Sequence, residues 1–224
     1  TLMNMALKPD PTEKMMFQLT LRRRGVSDQA VLRTMEEVPR EMFVDPRDRN
    51  EAYRDSALAI ACGQTISQPF VVAYMTEQLQ LQKDHRVLEI GTGSGYLAAC
   101  LGYLARDVVS LERHADLADA ARSRLTAQGI ANVDVVATDV FTWSTDRRFD
   151  AICVNAAVDQ VPSRFIEWLR PGGRMFIVRG RAPVMEAVLV HRQGEDVNAP
   201  RIESLFETEL DYLAGTEPVA EFQF

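Results

Sequence analysis

A glycine-rich turn, placed between an apolar run and a helical pattern, constrains this chain more than any other feature. The run Arg86–Ile90 has the length and composition of a buried strand, and Gly91, Gly93 and Gly95 follow it at alternate positions. Glycine lets the backbone turn sharply and lets a ligand approach the main chain closely. The turn therefore predicts the first strand–turn–helix unit of a Rossmann-like fold, with a ligand at the carboxyl end of the strand.

The residues around the turn narrow the type of ligand. A dinucleotide-binding fingerprint counted from Gly91 would need glycine at position 96, where Tyr96 stands, and the Gly-Lys-Ser/Thr ending of a phosphate-binding loop is missing from the sequence. Glu89, just before the turn, would repel a diphosphate but suits the cationic amino-acid end of S-adenosylmethionine. The turn therefore predicts a nucleoside ligand without pyrophosphate.

Acidic residues also follow the next two predicted strands, residues 108–112 and 133–137. Glu112 lies where Rossmann-type folds place the acid that binds ribose hydroxyls, and Asp139 lies where an adenine amino group would be expected. Each acid alone is also compatible with ordinary polarity at a strand end. Three acids at the ends of successive strands, beside this turn, together predict an S-adenosylmethionine site.

Strands and helices alternate through the rest of the chain. Further strands are predicted at residues 151–154, 175–178 and 187–190, with helices around residues 97–104, 117–125 and 162–169. Near-continuous apolar strands separated by helices are typical of a mostly parallel sheet with helices on both faces. We predict a single α/β domain over residues 1–224, in which residues 84–224 form the Rossmann-like core and residues 1–80 form an N-terminal helical cap and a loop.

The N-terminal region carries two helical patterns and one long polar loop. Thr12 is predicted to cap a helix that runs to residue 24, and Ser27 to cap a second helix that Pro39 stops. In the loop, residues 63–69, Ser67 has two interpretations. It is a natural cap for the helix that begins near Pro69, or it belongs to a loop that folds over the strand ends and covers the ligand site.

Composition limits the partners that this chain can take. The formal net charge of −7 argues against binding to a polyanion such as nucleic acid. Cys62, Cys100 and Cys153 are too widely spaced for a disulfide framework or a zinc site, which favours a reducing cytoplasm. The sequence carries no signal-peptide pattern and no apolar run of membrane-spanning length. We expect no bound metal, no nucleic-acid partner, no membrane association and a cytoplasmic location.

Several segments together resemble protein-L-isoaspartate (D-aspartate) O-methyltransferases, over about residues 15–180. The matching segments are residues 38–44, 52–55, 63–69, 87–96 and 170–174. The Gln-Thr-Ile-Ser-Gln-Pro stretch at residues 64–69 is specific to this family, whereas the glycine turn is shared by many methyltransferases. The resemblance implies a class I S-adenosylmethionine-dependent methyltransferase fold with an N-terminal helical cap.

The resemblance also implies a reaction and a set of site residues. The methyl donor is S-adenosylmethionine, the product is S-adenosylhomocysteine, and the acceptors are L-isoaspartyl and D-aspartyl residues in damaged proteins or peptides. Ser67 matches the active-site serine of the family. Cofactor contacts are predicted at Thr65, Ile66, Glu89, Gly91, Thr92, Gly93, Ser94, Gly95, Glu112, Arg113, Asp139 and Val140.

The sequence departs from the family pattern at several positions. Ala59 stands where proline is frequent, Thr138 and Val140 flank Asp139 where glycines are frequent, and Asn155 stands where bacterial members often carry threonine. The stretch from residue 202 to 224 does not match the usual bacterial ending. These departures leave open a divergent member that methylates a different carboxylate, on a small molecule or a modified peptide.

Two other classes of function are alternatives to a carboxylate methyltransferase. An amino-group methyltransferase acting on nucleobases would need an Asn/Asp-Pro-Pro-aromatic loop after the fourth strand, where this chain has Asn155-Ala156-Ala157-Val158. A cofactor-binding module without catalytic activity is the non-enzymatic alternative, and the intact stretch at residues 64–69 argues against it.

Overall fold

The computed structural model describes residues 11–219, so the predictions for residues 1–10 and 220–224 lie outside the described part. The α-helices are α1 Pro11–Arg23, α2 Gln29–Glu37, α3 Pro69–Leu79, α4 Tyr96–Leu104, α5 Ala115–Ala127 and α6 Ser163–Trp168. The strands are β1 Leu58–Ala59, β2 Thr65–Ile66, β3 Arg86–Ile90, β4 Asp107–Glu112, β5 Val133–Ala137, β6 Phe149–Val158, β7 Leu169–Arg181, β8 Val184–His191 and β9 Arg201–Glu207. Short 3-10 helices lie at Arg40–Met42, Pro46–Glu51 and Ala61–Gly63.

The main sheet has seven strands in the order β5-β4-β3-β6-β7-β8-β9. The five strands from β5 to β7 run parallel, whereas β8 and β9 are antiparallel to their neighbours. β1 and β2 form a separate two-stranded hairpin, called here the acceptor hairpin. The chain order reverses direction between β3 and β6, which is where α/β folds of this type bind ligands. The predicted Rossmann-like class I fold is confirmed.

Both faces of the sheet are covered, as the apolar strands require. Val87 and Val108 pack on one face with residues of α1, α2, α3 and α4. Leu88 and Val109, one position further along their strands, pack on the other face in a cluster that includes residues of α6. Because successive side chains in a strand point to opposite faces, each apolar strand needs helices on both sides.

The predicted helix caps are wrong for both N-terminal helices. Helix α1 already includes Thr12, so this residue is not the cap. Asp28 caps α2 by accepting the N–H groups of Ala30 at 2.8 Å and Val31 at 3.0 Å. Ser27 instead donates its backbone N–H to the Glu77 carboxylate of α3 at 2.8 Å. Ser27, which the local pattern assigned to the cap, therefore takes part instead in a contact with α3, a helix that is distant in sequence.

The C-terminal part of the sheet is larger than predicted. The strand predicted at residues 175–178 is part of the longer strand β7. The Pro-Gly-Gly stretch at residues 171–173, predicted as a turn before the strand, lies inside β7. β9 was not predicted, since its residues are mostly exposed and lack a clear apolar alternation. Within residues 11–219, every helix is too short or too polar to cross a membrane.

Candidate active site

One cavity lies at the carboxyl ends of the central parallel strands, where the sequence placed the ligand. Its walls include the predicted residues Thr65, Ser67, Gly91, Glu112, Arg113, Asp139 and Val140. They also include residues that the sequence did not single out as site residues, among them Gln64, Ile90, His114, Asn155 and residues 210–214. Of the remaining predicted residues, Ile66 lies in β2 of the hairpin and Glu89 in β3, whereas residues 92–95 form the glycine turn.

The glycine turn needs its glycines for backbone conformation. Gly91 and Gly95 have φ angles of 96° and 90°, in the left-handed region that side chains rarely tolerate. A Cβ atom on Gly91 would lie 3.4 Å from the Cβ atom of Asn155, and one on Gly95 would lie 3.2 Å from that of Ala121. The turn thus combines a conformation suited to glycine with close approach of β6 and α5.

Glu112 is held in a fixed orientation at the end of β4. One carboxylate oxygen accepts the N–H of Gly93 at 2.9 Å, and the other accepts the N–H of His114 at 2.9 Å. Each oxygen keeps a lone pair for a further donor, such as a sugar hydroxyl. On the neighbouring strand end, Asp139 accepts the N–H of Phe141 at 2.8 Å and is half-buried at the cavity wall.

Glu89 lies beneath the turn and is completely buried. Its Oε2 atom accepts the hydroxyl of Ser110 at 2.5 Å, and that hydroxyl lies 2.6 Å from the hydroxyl of Thr92. Within the described residues, its Oε1 atom has no hydrogen-bond partner. Burial raises the pKa of Glu89 to about 8, and the nearby Glu112 adds to the rise. A buried carboxyl with a free oxygen beside the turn fits a cationic group of a ligand.

The acceptor hairpin brings Ser67 to the cavity. Ile60, in the loop of the hairpin, packs against the turn, since a Cβ atom on Gly93 would lie 3.5 Å from its Cδ1 atom. Ser67 follows β2 directly and donates its hydroxyl to Oδ1 of Asn155 at 3.3 Å. The residues of the polar loop therefore cover the strand ends, as the second interpretation of this loop expected.

The alternative interpretation of Ser67 as a helix cap is wrong. Gln68 occupies the cap position of α3, and its side chain makes no capping hydrogen bond. Asp55 accepts the N–H of Phe70 at 3.0 Å instead, and an ion pair with Arg24 holds Asp55 in place. Because a distant carboxylate serves the helix terminus, the Ser67 hydroxyl is available to the cavity.

Residues 210–214, called here the strap, form a wall of the cavity that the sequence did not indicate. The N–H of Ala157 donates to the carbonyl of Asp211 at 2.9 Å, and the N–H of Leu213 donates to the carbonyl of Ala157 at 2.7 Å. The hydroxyl of Tyr212 donates to the carbonyl of Gly180 at 2.9 Å. The strap is thereby fixed to the end of β6. The sequence of the strap has no periodic apolar pattern from which its position could have been predicted.

Among residues 11–219, no group of three or more histidine, cysteine, aspartate or glutamate side chains could hold a metal ion. The strand-end carboxylates instead accept backbone N–H groups, as Glu112 and Asp139 do. These residues are arranged for hydrogen-bond donors.

The family model of protein-L-isoaspartate(D-aspartate) O-methyltransferases matches residues 11–206 of the chain. Proteins named protein-L-isoaspartate O-methyltransferase are similar over most of its length. One from Bradyrhizobium sp. strain BTAi1 is 60% identical over 187 residues, which is 83% of this chain and 87% of the relative. One from Rhodopseudomonas palustris strain BisB18 is 61% identical over 166 residues, which is 74% of this chain and 77% of the relative.

Solved structures agree with the fold. A protein-L-isoaspartate O-methyltransferase structure is 28% identical, with a TM-score of 0.79, and the match covers 91% of this chain and 66% of that one. A Plasmodium falciparum structure described by the same enzyme name, in complex with S-adenosyl-L-homocysteine, has a TM-score of 0.78 at 23% identity, covering 90% of this chain and 97% of that one. The chain therefore belongs to the protein-L-isoaspartate(D-aspartate) O-methyltransferase family.

Proposed function

We propose that Ser67 holds the acceptor and the strand-end acids hold the methyl donor in the reaction of this family. The chain is an S-adenosylmethionine-dependent methyltransferase that acts on the free carboxylate of isoaspartyl residues. The observation that carries the proposed role of Ser67 is its position. Its hydroxyl faces the strand-end cavity, because Asp55 serves the helix terminus in its place.

The residues around the strand-end cavity fit S-adenosylmethionine, which supplies an electrophilic methyl group on a cationic sulfur when it is bound. Glu112 binds the ribose hydroxyls, and Asp139 with Val140 contacts the adenine. Glu89 faces the cationic amino-acid end through the turn. The other predicted contacts, which bring main chain and hairpin against the donor, are Thr65, Ile66, Gly91, Thr92, Gly93, Ser94, Gly95 and Arg113.

The acceptor needs orientation and a dry site rather than a base. An α-carboxyl group has an ordinary pKa of about 3.3–3.7, so an isoaspartyl carboxylate is already ionised at neutral pH. Opposite charges cancel as the carboxylate meets the sulfonium methyl, and low polarity therefore favours the transition state over the hydrated reactants. Fixed orientation of two bound reactants contributes on the order of 7–11 kcal/mol. The acceptor hairpin and the strap border the cavity in which the two reactants would meet.

The proposed partners follow from the chemistry of the acceptor, and the proposed location follows from the state of the cysteines. Damaged proteins or peptides that contain L-isoaspartyl, or D-aspartyl, residues are the proposed substrates. The methyl ester would cyclise to a succinimide, whose hydrolysis returns part of the ordinary aspartate. A net charge of −7 disfavours a nucleic-acid partner. The free state of Cys62, Cys100 and Cys153 supports a reducing cytoplasm as the site of action.

Replacement of Ser67 tests its role directly. Ser67→Ala should reduce kcat/KM for an isoaspartyl peptide roughly ten- to two-hundred-fold, because a hydrogen bond to a charged group contributes about 1.5–3 kcal/mol. The affinity for S-adenosylhomocysteine and the melting temperature should stay nearly unchanged. Ser163→Ala, at an exposed serine on α6, is the matched control. Full turnover with a lowered melting temperature would show that Ser67 is only structural.

A further inference from the structure

A bulge in β6 places Asn155 outside the regular strand ladder. Cys153 pairs with Phe176 of β7 and Ala157 pairs with Val178, so three residues of β6 lie opposite one residue of β7. On the other side, β3 ends its pairing at Val154. Asn155 is the central residue of this bulge. Bulges re-aim side chains and are frequent beside active sites.

The side chain of Asn155 joins the acceptor hairpin to the glycine turn. Its Oδ1 atom accepts the hydroxyl of Ser67 at 3.3 Å, and its Nδ2 atom lies 3.5 Å from the carbonyl oxygen of Gly91. An amide nitrogen carries two hydrogens. The long contact to Gly91 uses one of them, which leaves the other hydrogen for a ligand.

Asn155 also lies where two cavities meet. Ser67 and Asn155 line the strand-end cavity, and both also line a second cavity on the side of α3. The walls of the second cavity include the apolar side chains of Val71, Met75 and Phe176, together with the acidic Glu209. An acceptor that entered from the second cavity would meet the donor at this junction, with its carboxylate beside Ser67 and Asn155.

We propose that Asn155 is a second hydrogen-bond donor to the acceptor carboxylate, acting as a pair with Ser67. This inference rests on the proposed function. When the acceptor arrives, the Ser67 hydroxyl rotates from Asn155 to one carboxylate oxygen, and the amide N–H of Asn155 donates to that same oxygen. The other oxygen stays free of donors and keeps its full nucleophilicity. It forms the new O–CH₃ bond as the S–CH₃ bond breaks, and the electron pair of that bond remains on the sulfur.

Two donors are needed because a single hydroxyl does not fix the orientation of a carboxylate. With Ser67 alone, the carboxylate can rotate about one hydrogen bond. A second donor on the same oxygen directs the free oxygen toward the methyl group, which is where orientation contributes to rate. An acceptor-only side chain at position 155 would repel the carboxylate instead. Position 155 therefore determines how a carboxylate is presented, whatever peptide carries it.

The test compares variants of Asn155 in the full chain, using an isoaspartyl peptide and labelled S-adenosylmethionine. Asn155→Ala should lower kcat/KM about ten- to two-hundred-fold, the effect expected for a hydrogen bond to a charged group. The isosteric Asn155→Asp should lower it further, because it replaces the donor with a negative charge. Asn155→Thr keeps a hydroxyl donor and should recover part of the loss. Asn198→Asp, at an exposed asparagine, is the control for the added charge.

Two further readouts separate a role in acceptor binding from a structural role. The activity of Asn155→Asp, relative to the unaltered protein, should rise as pH falls from 8 to 5, because the introduced carboxyl becomes protonated and can then donate. In addition, the double variant Ser67→Ala/Asn155→Ala should lose less activity than the product of the two single losses, as expected for groups that act on one atom. Melting temperature and S-adenosylhomocysteine affinity report on folding.

The outcomes distinguish the inference from the proposed function. If the unaltered chain methylates the isoaspartyl peptide and Asn155→Ala and Asn155→Asp stay within about two-fold of it, the inference is overturned and the proposed function stands. A folded, cofactor-binding chain that methylates no isoaspartyl peptide overturns both. Losses that are multiplicative in the double variant, with no recovery at low pH, would also contradict a paired role.

Discussion

Among single residues, Glu89 carries the buried carboxyl whose charge has most effect on the proposed site. Its carboxyl is completely buried, and one of its oxygens has no hydrogen-bond partner among the described residues. Burial of an unpaired carboxylate is unfavourable, which is why its pKa rises to about 8. A cationic group at the turn would stabilise the ionised form. We therefore expect Glu89 to lower stability when it is ionised without a cation beside it, and to favour binding of a cationic donor.

The pH dependence of stability tests this account of Glu89. The folded pKa of about 8 is above the ordinary value of 4.5, so the folded state binds the proton more tightly than the unfolded state. The stability that this group contributes is complete below about pH 4.5 and is lost as pH rises through about 8. Without cofactor, Glu89→Gln should therefore gain melting temperature relative to the unaltered chain between pH 5 and pH 8.5.

A melting-temperature difference that stays constant over this range would show that Glu89 does not titrate as described. The same variant should bind S-adenosylmethionine more weakly, because it removes the negative charge. An unchanged affinity would exclude Glu89 from the interaction with the donor. Isothermal titration calorimetry at pH 8, with the folded variant, measures that affinity.

Sequence alone located the strand-end acids, and the reason is physical. Glu89, Glu112 and Asp139 follow three parallel strands, and the carboxyl ends of parallel strands meet at one edge of a sheet. The sequence singled out Asn155 as a departure from the family pattern and as part of the stretch that lacks an Asn/Asp-Pro-Pro-aromatic loop, but not as a site residue. Its position depends on a bulge between β6 and β7, and the extra residues of a bulge leave no mark in an apolar strand pattern. The local sequence around Ser67 could not show whether its hydroxyl caps α3, because the distant Asp55 accepts the N–H of Phe70 at that helix terminus.

At the scale of elements, the strap closes the site from outside the region that the family model matches, which ends at residue 206. It is held by backbone pairing with Ala157 and by the hydroxyl of Tyr212, which donates to the Gly180 carbonyl at 2.9 Å and accepts the N–H of Ala182 at 3.2 Å. β9 was missed because its residues are mostly exposed, and the half-buried strap was missed because it lacks a periodic apolar pattern. The central strands were predicted because they are buried on both faces and read as continuous apolar runs.

Loosening the strap should weaken cofactor binding. Tyr212→Phe removes the hydroxyl and should raise the Kd for S-adenosylhomocysteine about two- to ten-fold, the range for one ordinary hydrogen bond. Hydrogen exchange at residues 210–214 should be slower with S-adenosylhomocysteine than without it. Tyr103→Phe, at an exposed tyrosine of α4, should leave both quantities unchanged. Equal affinity and equal exchange in the Tyr212 variant would mean that the strap does not act on the cofactor.

At the scale of the whole molecule, we propose that residues 1–80 and 84–224 form one domain. Leu21 and Met35 of the N-terminal helices share one apolar cluster with Val87 and Val108 of the sheet. Because this cluster crosses the predicted boundary, the two parts should lose structure together. Calorimetry should show a single unfolding transition whose van't Hoff and calorimetric enthalpies agree. Two separated transitions would show that the N-terminal helices fold independently.

Methyl transfer to isoaspartyl carboxylates is tested most directly with two acceptor peptides that differ only in one linkage. The unaltered chain is incubated with methyl-labelled S-adenosylmethionine and a peptide that contains one L-isoaspartyl residue, or with the same peptide containing ordinary aspartate. We expect label on the isoaspartyl peptide, in a form that mild base releases as expected for a methyl ester, and almost none on the aspartyl peptide. No label on the isoaspartyl peptide, or equal labelling of both peptides, would contradict it.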